Sequence, residues 1–284
     1  MTKLTTLYHY TDVHGLLGII RDKNIWATRL EYMNDSLEGK YLDSLVFKHL
    51  SDIIVNSDSR VKSEGIEVVR NMLKELATDS GGSDTYVFSL SEKPDLLSQW
   101  RGYTPKGGYC IGFGINPLLE VGRVYGLSLH ECSYNSEENQ NTVGNIIDAH
   151  FAENVSWPDI ETDKVKFLRN CQTVALRLLS LLKSRSSLMK HDSFSEESEW
   201  RIHGDVEATN EIVRYRASGK YIRPYVELSI APLISKFRPH EIITEIIFSP
   251  DLNYELAERP LVELIDKSGF DVSSVRKSNS PFRP

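Results

Sequence analysis

The stretch "LYHYTDVHGLLGIIRDKNIWATRL", residues 7–30, decides how the chain is read. Its first residues, "TLYHY" with Thr6, are short, aromatic and alternating, which predicts a strand. Asp12 then stands where a helix N-cap belongs, and Val13, Leu16, Leu17 and Ile20 recur at helical spacing. "NIWATRL" returns to a strand pattern, and "EYMNDSLEG" reads as a loop.

Outward from there, residues 40–56 and 60–78 read as amphipathic helices, the second with Val68, Val69, Met72, Leu73 and Leu76 on one face. "TYVFSLSE" is a buried-type strand, and "DLLSQWRGY" a short helix starting at Asp95. Gly107-Gly108 makes the turn into the strand "GGYCIGFGI". Residues 137–190 are helical in pattern, with "VALRLLSLLKS" the strongest run. "SEWRIHG", "RPYVELSI" and "ITEIIFSP" follow as strands, "NYELAERPLVELIDKSG" as a helix ending at Gly269, and "DVSSVRKS" as a closing strand. Strands and helices mix without regular βα alternation. This predicts an α+β fold with a mixed, mainly antiparallel sheet, not a doubly wound one. With no linker rich in Pro, Gly or Ser, the expectation is a single domain over residues 1–284 with a helical insertion at about 137–190.

The composition is that of an ordinary globular protein, 40% hydrophobic and 26% charged over 284 residues. A net charge of -7 argues against a uniformly basic nucleic-acid surface and leaves a local basic groove open. Cys110, Cys132 and Cys171 form no CxxC or Cys/His pattern, which argues against a disulfide framework or a zinc site. No metal is expected, and a reducing, cytoplasmic setting fits best. "MTKLTTLYHYTD" lacks the layout of a signal peptide. No apolar run approaches the ~20 residues that span a bilayer, so no membrane partner is expected.

The common catalytic motifs are silent. "GGYCIGFG" is neither GxxxxGK[ST] nor GxGxxG opening a helix, and HExxH, GxSxG and EF-hand patterns are missing. Three segments remain. On an extended strand His9 and Thr11 share one face and Tyr10 takes the other. Ser89 and Ser91 share one face of the strand "FSLSE". In extended form Glu197, Glu199 and Arg201 line one face, with Trp200 and Ile202 behind. Each segment by itself is most often an ordinary piece of sheet. Together they suit a site in which a carboxylate stabilises a developing cation and a neighbour positions the substrate.

The ordered segments "LYHYT…LLGII…IWAT…NDSLEG", "VFSLSE…SQWRGY…GYCIGF", "KHDSFSEESEWRI", "RPYVEL", "EIIFSP" and "VRKSNSPFR" resemble the bacterial domain-of-unknown-function 2971 family across residues 7–283. The order of His-Tyr on a first strand, Ser-x-Ser on a middle strand and Glu-x-Glu on a late one also resembles the ADP-ribosyltransferases. That second resemblance implies a split, strongly bent sheet that binds NAD as substrate. It implies cleavage of the nicotinamide–ribose bond and transfer to an unknown macromolecular acceptor, protein or nucleic acid. By analogy it suits a toxin or an antiphage defence effector. It implies His9 as the ribose contact and Glu199 or Glu197 as the catalytic acid. Ser89 and Ser91 support the site, with Thr11 beside them; Tyr10, Trp100 and Tyr103 are the candidates for stacking on nicotinamide or a base, and Arg101 for a pyrophosphate.

Two other readings stay open. A phosphodiesterase or nuclease would pair His9-Tyr10-Thr11 with His191-Asp192-Ser193, although His49-Leu50-Ser51 shows how easily such a match arises by chance. A noncatalytic binding module would keep the cleft without the chemistry. Asn34-Asp35 and Glu38 read as a turn that the resemblance would place at a cleft edge, and Arg283 as a tail residue able to fold back on an anion.

Overall fold

A computed structural model describes residues 4–33, 38–76, 83–154, 157, 161–207, 209–218 and 220–281. Asn34, Asp35, the Glu38 side chain and Arg283 lie outside the described residues. The chain divides into two compact units. The first comprises Met1–Leu30, Tyr86–Cys132 and Phe194–Pro284, the second Glu31–Thr85 and Ser133–Ser193.

The first unit is α+β. Strands β1 (Thr6–Thr11), β2 (Asn24–Arg29), β3 (Ser83–Ser91), β4 (Tyr109–Gly114), β5 (Ser128–Glu131), β6 (Glu199–Glu207), β7 (Val213–Ser218), β8 (Tyr221–Ser229), β9 (Ile243–Phe248) and β10 (Ser274–Lys277) form one sheet. The order is β10-β9-β4-β1-β3-β2-β8-β7, with β6 paired to β3 and β5 to β6. The registered pairs are antiparallel apart from β9 with β10. Helix α1 (Val13–Ile20) starts as the sequence predicts, with Asp12 accepting from the Gly15 amide at 2.9 Å.

One face of this sheet carries the main core. Leu7, Ile25, Phe88, Ile111, Phe113, Val226 and Ile246 meet Leu16, Ile19 and Ile20 of α1. Leu118 and Val121 come from α5 (Ile115–Tyr125), and Leu261 and Ile265 from α9 (Tyr254–Ser268). On the opposite face, Tyr10, Trp100, Cys110 and Ile247 form a smaller cluster under α4 (Leu97–Tyr103). Asp95 does not cap α4. It accepts instead from Trp100 Nε1 at 2.7 Å, from the Ser278 hydroxyl at 2.5 Å and from the Asn279 amide at 2.6 Å, which ties the C-terminal segment to α4. The turn into β4 needs both its glycines. Gly107 has a left-handed φ of 87°, and a Cβ at Gly108 would lie 2.4 Å from the Thr11 carbonyl oxygen.

The second unit is helical. Between α1 and α4 come α2 (Glu38–Val55) and α3 (Arg60–Leu76), and after α5 come α6 (Ser136–Asn154) and α7 (Lys164–Ser186). On α7, Phe167, Cys171, Val174, Leu178 and Leu182 follow helical spacing into a core with Leu45, Leu50, Ile66, Val69, Val143 and Ile147. The segment read as an insertion is thus two helices that pack with α2 and α3, not a cluster by itself. The elements β5, β7 and α5, with the short α8 (Pro239–Ile242), go beyond the sequence reading.

Tyr10 links sheet and helix. Its hydroxyl donates to the Lys93 carbonyl at 2.8 Å and accepts from the Leu96 amide at 2.8 Å. Tyr10→Phe should lower the unfolding free energy in urea by about 1–3 kcal/mol, because both backbone groups lose a partner in a part-buried place. An unchanged unfolding midpoint would show that this hydroxyl does not hold the segment before α4.

Candidate functional site

β1 and β3 share a single registered pair, Tyr8 opposite Ser91, and part beyond it. Where strands diverge, backbone groups lose their ladder partners and need others. His9 supplies one: its Nδ1 lies 2.8 Å from the Ser89 carbonyl oxygen. A carbonyl only accepts, so Nδ1 carries the proton and donates. The ring packs on Phe88, centroids 4.3 Å apart. It keeps a small opening to the surface. Burial nevertheless pulls the His9 pKa down to about 4, against the raising effect of the Ser89 bond and with help from the Arg216 charge. At neutral pH His9 is therefore an uncharged imidazole with Nδ1 committed. Its Nε2 is left as an acceptor that makes no hydrogen bond among the described residues. Beside it, the Ser89 hydroxyl is shielded from solvent and has no hydrogen-bond partner among the described residues.

The late acidic segment is fastened to the same strand. The Ser91 hydroxyl donates to the Glu197 carbonyl at 2.6 Å and accepts from the Lys93 amide at 2.9 Å. The Glu92 amide donates to the Ser198 carbonyl at 3.0 Å, and Trp200 Nε1 to the Glu92 carboxylate at 2.9 Å. His9 is thus bonded to Ser89, and Glu197 and Ser198 to Ser91 and Glu92, more than a hundred residues earlier in sequence. The expected extended run through Glu197 is corrected, however. Residues Asp192–Glu197 form a 3-10 helix, Ser198 adopts a left-handed φ of 43°, and the strand begins only at Glu199. A non-glycine residue held there stores strain of roughly 1–3 kcal/mol, a feature that clusters at functional sites.

The two glutamates differ sharply. Glu199 is 4% exposed and forms a two-pronged ion pair with Arg201, itself 1% exposed, at 2.8 and 3.0 Å. Period two along β6 puts both on one face, and the pairing neutralises the carboxylate. Glu197 is half-buried and closes the 3-10 helix before β6.

The remaining expected residues have structural surroundings. Tyr10 packs edge-on against Trp100 at 4.8 Å, and burial raises its phenol pKa. Trp100 is 1% exposed and bonded to Asp95. Tyr103 packs on that cluster, and Arg101 is exposed on α4. Thr11 is buried against Gly15 of α1. In the second unit His191 is exposed and within 3.0 Å of the Ser193 hydroxyl, and His49 lies 2.9 Å from Asp148. Among the described residues, no group of three or more His, Cys, Asp or Glu is arranged to hold a metal ion. No described helix is long and apolar enough to cross a membrane.

The sequence reading missed a cluster on the β2-β8-β7 side. Thr28 pairs with both Val87 and Tyr225 and so shares their face, as does Trp26 two residues away. Arg216 reaches over Trp26 and Tyr225, at 5.1 and 5.5 Å from their ring centroids, and donates to the Thr28 hydroxyl at 2.9 Å. Arg223 stands directly opposite Arg216 on the hairpin. The available signal was "SGKY" at 218–221, a two-residue glycine turn between alternating runs.

A site of this kind, a neutral histidine bonded to β3 and an acidic segment bonded further along the same strand, lies in a mixed α+β unit with a largely antiparallel sheet. The model of a protein family of unknown function, DUF2971, matches residues 99–202, which supports the resemblance to that family. Comparisons with curated proteins and with solved structures found no match.

Removing one member of the Glu199–Arg201 pair leaves a buried charge uncompensated, which costs about 3–5 kcal/mol. Glu199→Gln and Arg201→Met should each lower the urea midpoint strongly, and Glu199→Gln/Arg201→Met should recover part of the loss. If Glu199→Gln unfolds like the wild type, the pair is not holding β6.

Proposed function

We propose that this chain is an NAD-consuming enzyme of the ADP-ribosyltransferase type, acting at the divergence of β1 and β3. The observation that carries the reading is His9, held neutral by burial and anchored to Ser89, with Glu197 and Ser198 bonded to Ser91 and Glu92. In this reading a ribose hydroxyl of NAD donates to His9 Nε2, since Nδ1 is already committed. The bond between the ribose anomeric carbon and the nicotinamide nitrogen breaks, and its electron pair leaves with neutral nicotinamide. Positive charge builds on the ribose, and a fixed carboxylate nearby lowers that barrier. A hydroxyl of a macromolecular acceptor, or of water, then bonds to the anomeric carbon and gives up its proton.

Glu197 is the stronger candidate for the carboxylate, because Glu199 already neutralises Arg201. The same ion pair favours a second reading, a binding module that keeps the cleft without turnover.

Purified protein incubated with NAD should release nicotinamide, detected by mass spectrometry. Glu197→Gln should slow release by about 100- to 1,000-fold, the usual effect of removing one preorganised electrostatic group. His9→Ala should raise KM more than it lowers kcat. Wild type that binds NAD without releasing nicotinamide would favour the binding module. Turnover unaffected by Glu197→Gln would remove Glu197 from the chemistry.

A further inference from the structure

The arginine pair on the β7–β8 hairpin is unexplained by packing. Arg216 and Arg223 face each other directly across an antiparallel ladder, an arrangement that destabilises a hairpin when nothing balances the charge. The chain as a whole has 40 acidic residues against 33 basic ones, yet among the described residues neither arginine forms an ion pair. The Nε atoms of both, and Trp26 Nε1, are shielded from solvent and have no hydrogen-bond acceptor among the described residues. Burial and the neighbouring Arg223 charge both pull the Arg216 pKa below its ordinary value. A guanidinium in that position is poised to gain from an anion.

Arg216 is also held in place. Thr28 fixes one end of the Arg216 guanidinium, and Trp26 and Tyr225 lie beneath it. Trp26 in turn rests against the bare backbone of Gly18, where an added Cβ would lie 2.8 Å from the ring. A fork fixed in this way suits two-pronged contact with phosphate oxygens. Arg216 is close enough to His9 for its charge to act on the imidazole. The nearby carboxylates are Asp12, occupied as the α1 cap, and Glu227, which accepts from Asn24 at 3.2 Å.

We propose that Arg216 and Arg223 bind the pyrophosphate of a dinucleotide. This rests on the NAD reading above and moves the phosphate contact from Arg101, exposed on α4, to the β7–β8 hairpin. The chemistry favours a compact diphosphate over a single-stranded nucleic acid, because Trp26, set against Gly18, already carries Arg216 and offers no open base platform there.

The test is calorimetric titration with inorganic pyrophosphate and with ADP-ribose, neither of which needs to be cleaved. Wild type should bind both. Arg223→Gln, a half-buried position on β8, should fold with a near-normal unfolding midpoint and weaken both by about tenfold to a hundredfold. Arg214→Gln, an exposed residue on the same strand as Arg216, should change binding less than about twofold. Arg216→Gln should behave as Arg223→Gln where it folds, and Arg223→Gln decides where it does not. Binding of ADP-ribose lost in Arg223→Gln supports the proposal even if NAD is never consumed; in that case only the enzymatic reading falls. The proposal is overturned if wild type binds neither ligand at millimolar concentration, or if Arg223→Gln binds as wild type does. It is also overturned if wild type ignores pyrophosphate but binds a single-stranded oligonucleotide through Arg223.

Discussion

The first unit depends on what happens where β1 and β3 part. A sheet that opens between two central strands exposes backbone groups that nothing in the ladder can satisfy. The His9 side chain closes that gap by donating from Nδ1 to the Ser89 carbonyl while its ring packs on Phe88. This one bond fixes the tautomer, and burial fixes the charge state. The result is a neutral acceptor nitrogen held at a strand divergence, with Tyr8 and Ser91 as the last paired rung below it. Tyr10, one residue on, faces the other way and spends its hydroxyl on the segment leading into α4.

Charge is distributed around that point in two different ways. At β6 the cost of burying Glu199 and Arg201 is met within the pair, so the strand gains geometric definition and little net charge. At the β7–β8 hairpin two cations meet with no counterion among the described residues, and Arg216 stacks on Trp26 and Tyr225 and donates to Thr28. The first arrangement is complete in the protein alone. The second leaves two positive charges face to face across the hairpin.

The sequence made the scaffold of this site readable because its signals are local. Asp12 caps α1 where the pattern puts it, and the alternation in "TLYHY" separates His9 from Tyr10. Ser89 and Ser91 fall on one face for the same reason. What could not be read depends on register and on distant partners. Period two correctly puts Glu199 with Arg201, but the left-handed Ser198 removes Glu197 from that series. No propensity marks serine for such a position. Arg216 and Arg223 become neighbours only once the hairpin register is known, and Trp26 and Tyr225 only once β2 pairs with β8. The helices over 137–190 were legible as helices, while their packing with α2 and α3 rests on tertiary contacts from a segment a hundred residues earlier.

The most direct measurement is the titration and tautomer of His9 by NMR on ring-labelled protein, assigned with a His9→Asn variant. The account requires a neutral ring protonated on Nδ1 down to about pH 5, with its pKa pulled toward about 4 by burial. Because the folded pKa lies below the unfolded value, this residue's contribution to stability is full above about pH 6.5 and falls as the pH drops toward 4. A His9 that titrates near 6.5, or that carries its neutral proton on Nε2, would contradict the bond to Ser89 and with it the site built around it.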